Sequence, residues 1–347
     1  MMLSAVLFSQ LLVSTHQSDS PWILTSSSLP SETKYFATLG NGQLAMTPFL
    51  QHDSSPSINV NCLYNGDSWT SHRARLPNMA NYQPILPDAD YQQEFSLDMR
   101  RGEFRASYRS DDWSVDHKVF ILRNIELDGV IVNHFTAEAF SDNFLLDIIL
   151  VPGPDSDDIT MMDTPDELQV NDNNLGIDTL LYTCQETLET EFNKYQDGPS
   201  PVCYGWMIPS SLNSSANDVS ATSQLYITVV DSSLEKLITQ VNLLIEMNPT
   251  VDDLFNLHYD AWNELWSRGT LEVTGDPELE RVVLASQYYI LSSLPSAETS
   301  REFCGLSPGS LAYGDEAMDY QVVMDDIMYD PIFKTMSSMK DNRDALH

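Results

Sequence analysis

Between Tyr35 and Val230 the apolar residues recur in short runs rather than at helical spacing. Gly129 to Phe135 is dense in β-branched residues, and Asn143 to Val151 is an apolar run closed by Pro152, Gly153 and Pro154. Runs of this length bounded by turn residues read as strands. His117 to Leu122 and Leu225 to Val230 have the same character. The stretches between them are polar and rich in Asp, Ser and Asn, as at Asp155 to Asp158 and Ser210 to Ser220. Many short strands without intervening helices predict a sandwich of antiparallel sheets.

Beyond Val230 the period changes. Ser232-Ser233-Leu234-Glu235 has the form of a capping box, and Leu234, Leu237, Ile238, Val241, Leu244 and Ile245 follow at helical spacing. Asn248-Pro249 ends that helix. Thr250 to Asp253 opens a second, with Leu254, Leu257, Ala261, Trp262, Leu265 and Trp266 along one side and Gly269 suited to its end. Asp276-Pro277 opens a third, which carries Leu279, Val282, Val283, Tyr289 and Ile290 and stops near Pro295. All three stripes are wide, so each helix must bury one face against something else.

The chain has 347 residues, more than one domain usually holds, and its 42% hydrophobic and 10% aromatic content supports a sizeable core. It carries 51 Asp and Glu against 17 Lys and Arg, a formal charge of −34. Such a surface repels phosphates, which argues against nucleic acid and against an anionic membrane face. A neutral sugar is indifferent to that field. Cys62, Cys184, Cys203 and Cys304 form no CxxC pair or metal-ligand spacing, so no metal or other cofactor is expected. Disulfides and buried thiols both remain open. Leu3 to Val13, followed by Ser14 and Thr15, resembles a signal-peptide core within residues 1–17, although no Lys or Arg precedes it. It is too short to span a bilayer. Asn213-Ser214-Ser215 is a glycosylation sequon. These features leave the compartment open between secreted or lysosomal and cytoplasmic.

Several segments occur in an order that carries a resemblance. They are Phe36 to Leu44 with its Gly40-Asn41-Gly42 turn, Leu63 to Gly66 followed by Ser71 to Pro77, and Phe95 to Gly102 followed by Phe104-Arg105. Ala261 to Trp266, Gly275-Asp276, Ala285 to Tyr289, Leu291 to Pro295 and Gly305 to Gly309 complete the series. Together they resemble glycoside hydrolase family 65, in particular its animal members that act on collagen glucosides, over roughly residues 35 to 333.

The resemblance implies an N-terminal antiparallel β-sandwich of the supersandwich type over residues 30–232 and a helical linker over 233–275. The incomplete start of an (α/α)6 barrel would follow over 276–335, with an unmatched tail at 336–347. The implied activity is release of glucose from an α-glucoside, either glucosylgalactosylhydroxylysine or a trehalose-type sugar. An inverting glycosidase needs an acid and a base about 6.5–9.5 Å apart. The resemblance puts the general acid Glu, and the base after it, downstream of His347, so no catalytic residue is expected within the chain. One sugar-holding segment corresponds to Val322 to Pro331, where Asp325 matches the aspartate that grips the glucose hydroxyls and Asp326 the second acid. Met324 stands where the family has Trp, and one residue is missing, which turns later side chains by about 100° on a helix. The expected partner is a glucoside substrate or glycan. The alternatives are a non-catalytic sandwich that binds glycan or a protein partner, and a truncated product without function.

Other residues receive structural readings. His72, Arg73 and Arg75 stand out among so few cations, and are read as pairing carboxylates between the two units rather than touching substrate. Trp262, Trp266 and His258 share an apolar stripe and read as core. Asp98 and Asp276 read as turn or cap residues.

Overall fold

A computed structural model describes residues 20–295 apart from 31–35, 49–57, 67–71, 88–89, 154, 173, 190–197 and 217–220. The strands, in chain order, are β1 (Ile23–Ser26), β2 (Leu39–Gly40), β3 (Leu44–Met46), β4 (Ile58–Val60), β5 (Tyr64–Asn65), β6 (His72–Arg73), β7 (Tyr82–Ile85), β8 (Gln92–Asp98) and β9 (Glu103–Arg109). They continue as β10 (Trp113–Ile121), β11 (Val130–Ala139), β12 (Phe144–Leu150), β13 (Asp166–Asp172), β14 (Ile177–Glu186), β15 (Pro201–Met207), β16 (Leu212–Ser214) and β17 (Thr222–Asp231). Three helices follow: α1 (Leu234–Met247), α2 (Val251–Ser267) and α3 (Pro277–Ser293).

Nine strands form one antiparallel sheet in the order β1-β8-β9-β10-β11-β17-β15-β14-β13. Its centre is buried on both sides, which explains the unbroken apolar runs of β11 and β17. One face meets the layer of the small sheet β16-β12-β7, while β2-β3-β4 and β5-β6 form two further small sheets. There Tyr82 stacks on Tyr226 at 4.6 Å, Asn133 donates to the Ala80 carbonyl at 3.1 Å, and Thr228 donates to the Met79 carbonyl at 2.9 Å. The opposite face meets helices. Leu237 of α1 lies over Gly205 of β15, and Phe255 of α2 packs on Phe120 at 5.0 Å and on His134 at 5.4 Å. The architecture is therefore a mostly β assembly with helices on one flank, as the residue pattern predicts.

The helix starts follow from their caps. Ser233, rather than Ser232, is the N-cap of α1: its backbone is extended and its side chain accepts the Lys236 N–H. With two serines in tandem, only backbone conformation selects between them. Thr250 and Asp253 form a reciprocal capping box on α2, and Asp276 accepts the Leu279 N–H to start α3. The expected stripe of α3 is displaced. Leu279 is 49% exposed, whereas Leu284, Ala285 and Tyr288 are buried. Tyr288 decides the rotation by stacking on Trp262 at 5.4 Å and donating to the Thr38 carbonyl at 3.1 Å.

Cys184 and Cys203 are register partners on β14 and β15 and form a disulfide, and Cys62 is disulfide-bonded as well. Of the two thiol states left open by the sequence, the oxidised one is found at the three cysteines among the described residues.

Candidate functional site

Several of the segments that carry the resemblance meet around α2: the Gly40-Asn41-Gly42 turn, the end of Phe95 to Gly102, Ala285 to Tyr289 and Leu291 to Pro295. The turn from Asp98 to Gly102 joins β8 to β9, and the Asp98 carboxylate accepts the backbone N–H groups of Arg100 and Arg101 at 3.0 and 3.1 Å. The turn lies directly on the helix. Trp266 donates its indole N–H to the Arg100 carbonyl at 3.0 Å, and the Arg101 guanidinium sits 4.8 Å from the Tyr259 ring centre. Gly102 has φ +61°, and a Cβ there would overlap the Trp262 indole. Glycine is needed for both reasons.

The Gly40-Asn41-Gly42 turn supplies the second wall. Asn41 accepts the Gln43 and Leu44 N–H groups at 2.9 and 2.8 Å. Its amide donates to the Leu122 and Asp128 carbonyls at 3.0 and 2.7 Å. Gly42 has φ +85°, and a Cβ there would strike the backbone of Leu294 and Pro295, so this turn receives the end of α3.

Arg123 joins the two walls. It stands two residues beyond the end of β10 and is buried. Its backbone N–H donates to His258 Nδ1 at 3.2 Å, its Nη2 donates to the Leu294 carbonyl at 2.7 Å, and its guanidinium lies 5.1 Å from the Trp262 ring centre. Burial lowers the His258 pKa to about 3 and that of Arg123 to about 10. His258 is therefore neutral, and its Nδ1 is free to accept. A neighbouring cluster is similar in kind. Tyr259 donates to the buried Glu103 carboxylate, Lys118 Nζ stands 3.7 Å from it, and burial raises the Glu103 pKa.

Between these walls lies a cavity of about 320 Å³. Asn41, Gln43 and Asp128 face α2 residues Asp260, Glu264 and Leu265 across it, with Arg123 and Arg268 also on its lining. Arg268 pairs with Glu264 at 2.6 Å near its rim, where solvent weakens the pair. The volume is within the range of small-molecule sites. The lining mixes carboxylates, guanidinium groups and amides with the apolar side chains of Ile125, Leu257, Ala261, Leu265 and Pro295, so donors and acceptors stand beside apolar surface. That combination admits a solute that presents both hydroxyl groups and C–H faces. No cluster able to hold a metal ion is found among the described residues.

The residues singled out by sequence fall in different places. Asp325 and Asp326 lie outside the described residues, as do residues 1–17, Gly305 to Gly309 and 336–347. Arg75 grips Asp158 through its backbone N–H and two side-chain nitrogens at 2.7–2.9 Å, and Arg73 is buried over the Tyr64 ring. For Arg75 the carboxylate comes from the same sandwich, not from the helical part, because the loop before β13 folds back beside β5 and β6. His72 is described only as a β6 residue paired to Asn65. Trp262, Trp266 and His258 are buried, and Asp98 and Asp276 hold a turn and a cap. Sequence reading missed Arg123 and Asp128. Arg123 left one signal, a scarce cation directly after a strong strand.

No protein-family model matches the chain. Among curated proteins it is similar to the protein-glucosylgalactosylhydroxylysine glucosidase of Gallus gallus, 24% identical over 314 residues, and to that of Mus musculus, 26% identical over 311. These alignments cover 89% and 87% of this chain. The chain is a homologue of these glucosidases. That is the likeness expected from glycoside hydrolase family 65. The homologous stretch spans 42% of the length of each glucosidase. A solved structure described as "Putative kojibiose phosphorylase from human microbiome" shares the fold, with a TM-score of 0.58 at 10% identity over 79% of this chain and 42% of that one. No described helix is long and apolar enough to cross a membrane.

Proposed function

We propose that this chain provides the sandwich and linker scaffold of an enzyme that releases glucose from an α-glucoside of the collagen or trehalose type. The carboxyl groups that perform the chemistry belong to sequence beyond this stretch. The observation that carries the reading is that several of the resembling segments, namely the Gly40–Gly42 turn, the Asp98–Gly102 turn and the end of α3, pack around α2. Homology to glucosidases along nearly all of the chain, but under half of their length, supports the same division of labour. In this reading Asp325 and Asp326 are the chain's contribution to holding the glucose. The test is an assay of the purified 347-residue polypeptide on glucosylgalactosylhydroxylysine and trehalose, with free glucose as the readout. No turnover is the expected result, and measurable turnover would sink the proposal.

The cavity favours a second reading, a non-catalytic glycan-binding module. It predicts saturable heat on titration with the collagen disaccharide or glucose, lost in an Asp260→Ala, Glu264→Ala double variant. Titrations without heat for either sugar remove this reading and leave the first intact.

A further inference from the structure

We infer that Asn213 is an N-glycosylation site and that its glycan covers an apolar patch on the outer face of the sheet β16-β12-β7. Asn213-Ser214-Ser215 is the only Asn-X-Ser/Thr triplet in the sequence without proline in the middle. Asn248-Pro249-Thr250 is blocked by its proline. The structure places Asn213 where a glycan can stand. Along β16 the burial alternates: Leu212 and Ser214 point inward and Asn213 points outward. Ser214 donates to the Ala137 carbonyl of β11, which fixes that alternation. Among the described residues the Asn213 side chain makes no hydrogen bond, so its amide is available.

The surroundings of Asn213 call for a cover. Asn213 pairs in register with Leu145 of β12, so the two side chains share one face at close range. Leu145 is 57% exposed. On the same face Ile85 pairs with Asp147, and Ile149 follows two residues later; both isoleucines are exposed. A sheet face with three exposed aliphatic side chains is an association hazard, and β16 adds an edge strand beside it. A sugar on Asn213 would lie over Leu145 and block that edge.

The disulfides supply an independent argument for the compartment. Cys184–Cys203 and the oxidised Cys62 belong to a chain that folds under oxidising conditions. In eukaryotic cells that compartment also holds the glycosylation machinery. There the Asn213 amide nitrogen attacks the anomeric carbon of a lipid-pyrophosphate-linked oligosaccharide. The N–C1 bond forms, the C1–O bond to pyrophosphate breaks, the lipid pyrophosphate leaves, and one amide proton passes to a base of the transferase.

The experiment expresses the chain with its own N-terminus in animal cells and treats it with a peptide N-glycosidase before peptide mass mapping. Expected is a mobility shift on treatment, absent in Asn213→Gln and Ser215→Ala, retained in Ser215→Thr, with Asn248 unmodified. The enzymatically deglycosylated protein should bind more of an apolar dye, and Leu145→Ser should suppress that increase. A bare Asn213 overturns the inference, whether Cys184 and Cys203 are recovered oxidised or reduced. A glycan whose removal leaves dye binding unchanged overturns the covering role.

Discussion

Helices α1 and α2 pack on the same face of the nine-stranded sheet, yet they are held by different chemistry. The seam of α1 is mainly aliphatic, with Leu237, Val241 and Leu244 buried. Its one deep polar residue, Gln240, is satisfied at both ends: it accepts the Gly129 N–H at 3.0 Å and donates to Asp231 at 2.6 Å. The seam of α2 holds Phe255, His258, Trp262 and Trp266, together with the buried Arg123 and Glu103 of the sheet side. An aliphatic seam needs only volume and tolerates exchange of one aliphatic for another. An aromatic and charged seam depends on direction and on full pairing. The cavity lies along the second seam.

The largest expected effect comes from Gly102→Val. The substitution forces a β-branched residue into positive φ and drives a side chain into Trp262. Strain and overpacking of about 1–3 kcal/mol each should combine. Chemical denaturation should show a collapsed midpoint, and a midpoint near that of the parent protein would refute the described contact. Next come Trp262→Ala and Leu237→Ala, at about 3–5 and 2–5 kcal/mol. Hydrogen exchange separates them. Loss of Trp262 should loosen amides of both α2 and α3, because Tyr288 stacks on it, whereas loss of Leu237 should loosen α1 alone. Equal loosening of all three helices would erase the distinction between the seams.

A pH series sharpens the comparison further. Burial lowers His258 to about 3 and His134 to about 4, both beside α2, and His117 to about 3 on the sandwich side, from an ordinary 6.5. The unfolded chain therefore binds more protons than the folded one below pH 6.5. Stability should fall as pH falls from about 6.5 towards 4, by up to about 1.4 kcal/mol per pH unit for each imidazole. Burial raises Glu103 and Asp98, and these carboxyls act in the opposite sense, from their ordinary range up to their raised folded-state values. His258→Gln should make the decline shallower by one proton, and an unchanged slope would mean that His258 charges freely in the folded state. The smallest effects belong to the caps, about 1 kcal/mol each for Ser233→Ala on α1 and Thr250→Ala on α2. A neutral Ser233→Ala with a costly Ser232→Ala would return the α1 cap to the earlier serine.

Strands and helices were legible because their period is written locally, as in the apolar run of β12 and the Thr250-Asp253 box. The rotation of α3 was not, because Tyr288 chooses its face through Trp262 and Thr38, partners that no local pattern reveals. The partner of Arg75 was hidden for the same reason, since Asp158 lies 83 residues away. Of the cavity, Asn41 was visible as a turn residue and Trp262 as core. Arg123 became meaningful only when the strand before it and the helix carrying His258 were seen to meet. Asp325 and Asp326 rest on resemblance alone.

The grip of Gly42 and Arg123 on Leu294 and Pro295 has a consequence for α3. Its C-terminal end is fastened to the sheet layer at two positions, so lifting that end away would leave a buried guanidinium without its carbonyl partner and uncover a glycine turn shaped to receive it. Undocking of α3 is therefore coupled to the polar interior beside α2 rather than confined to the helix itself.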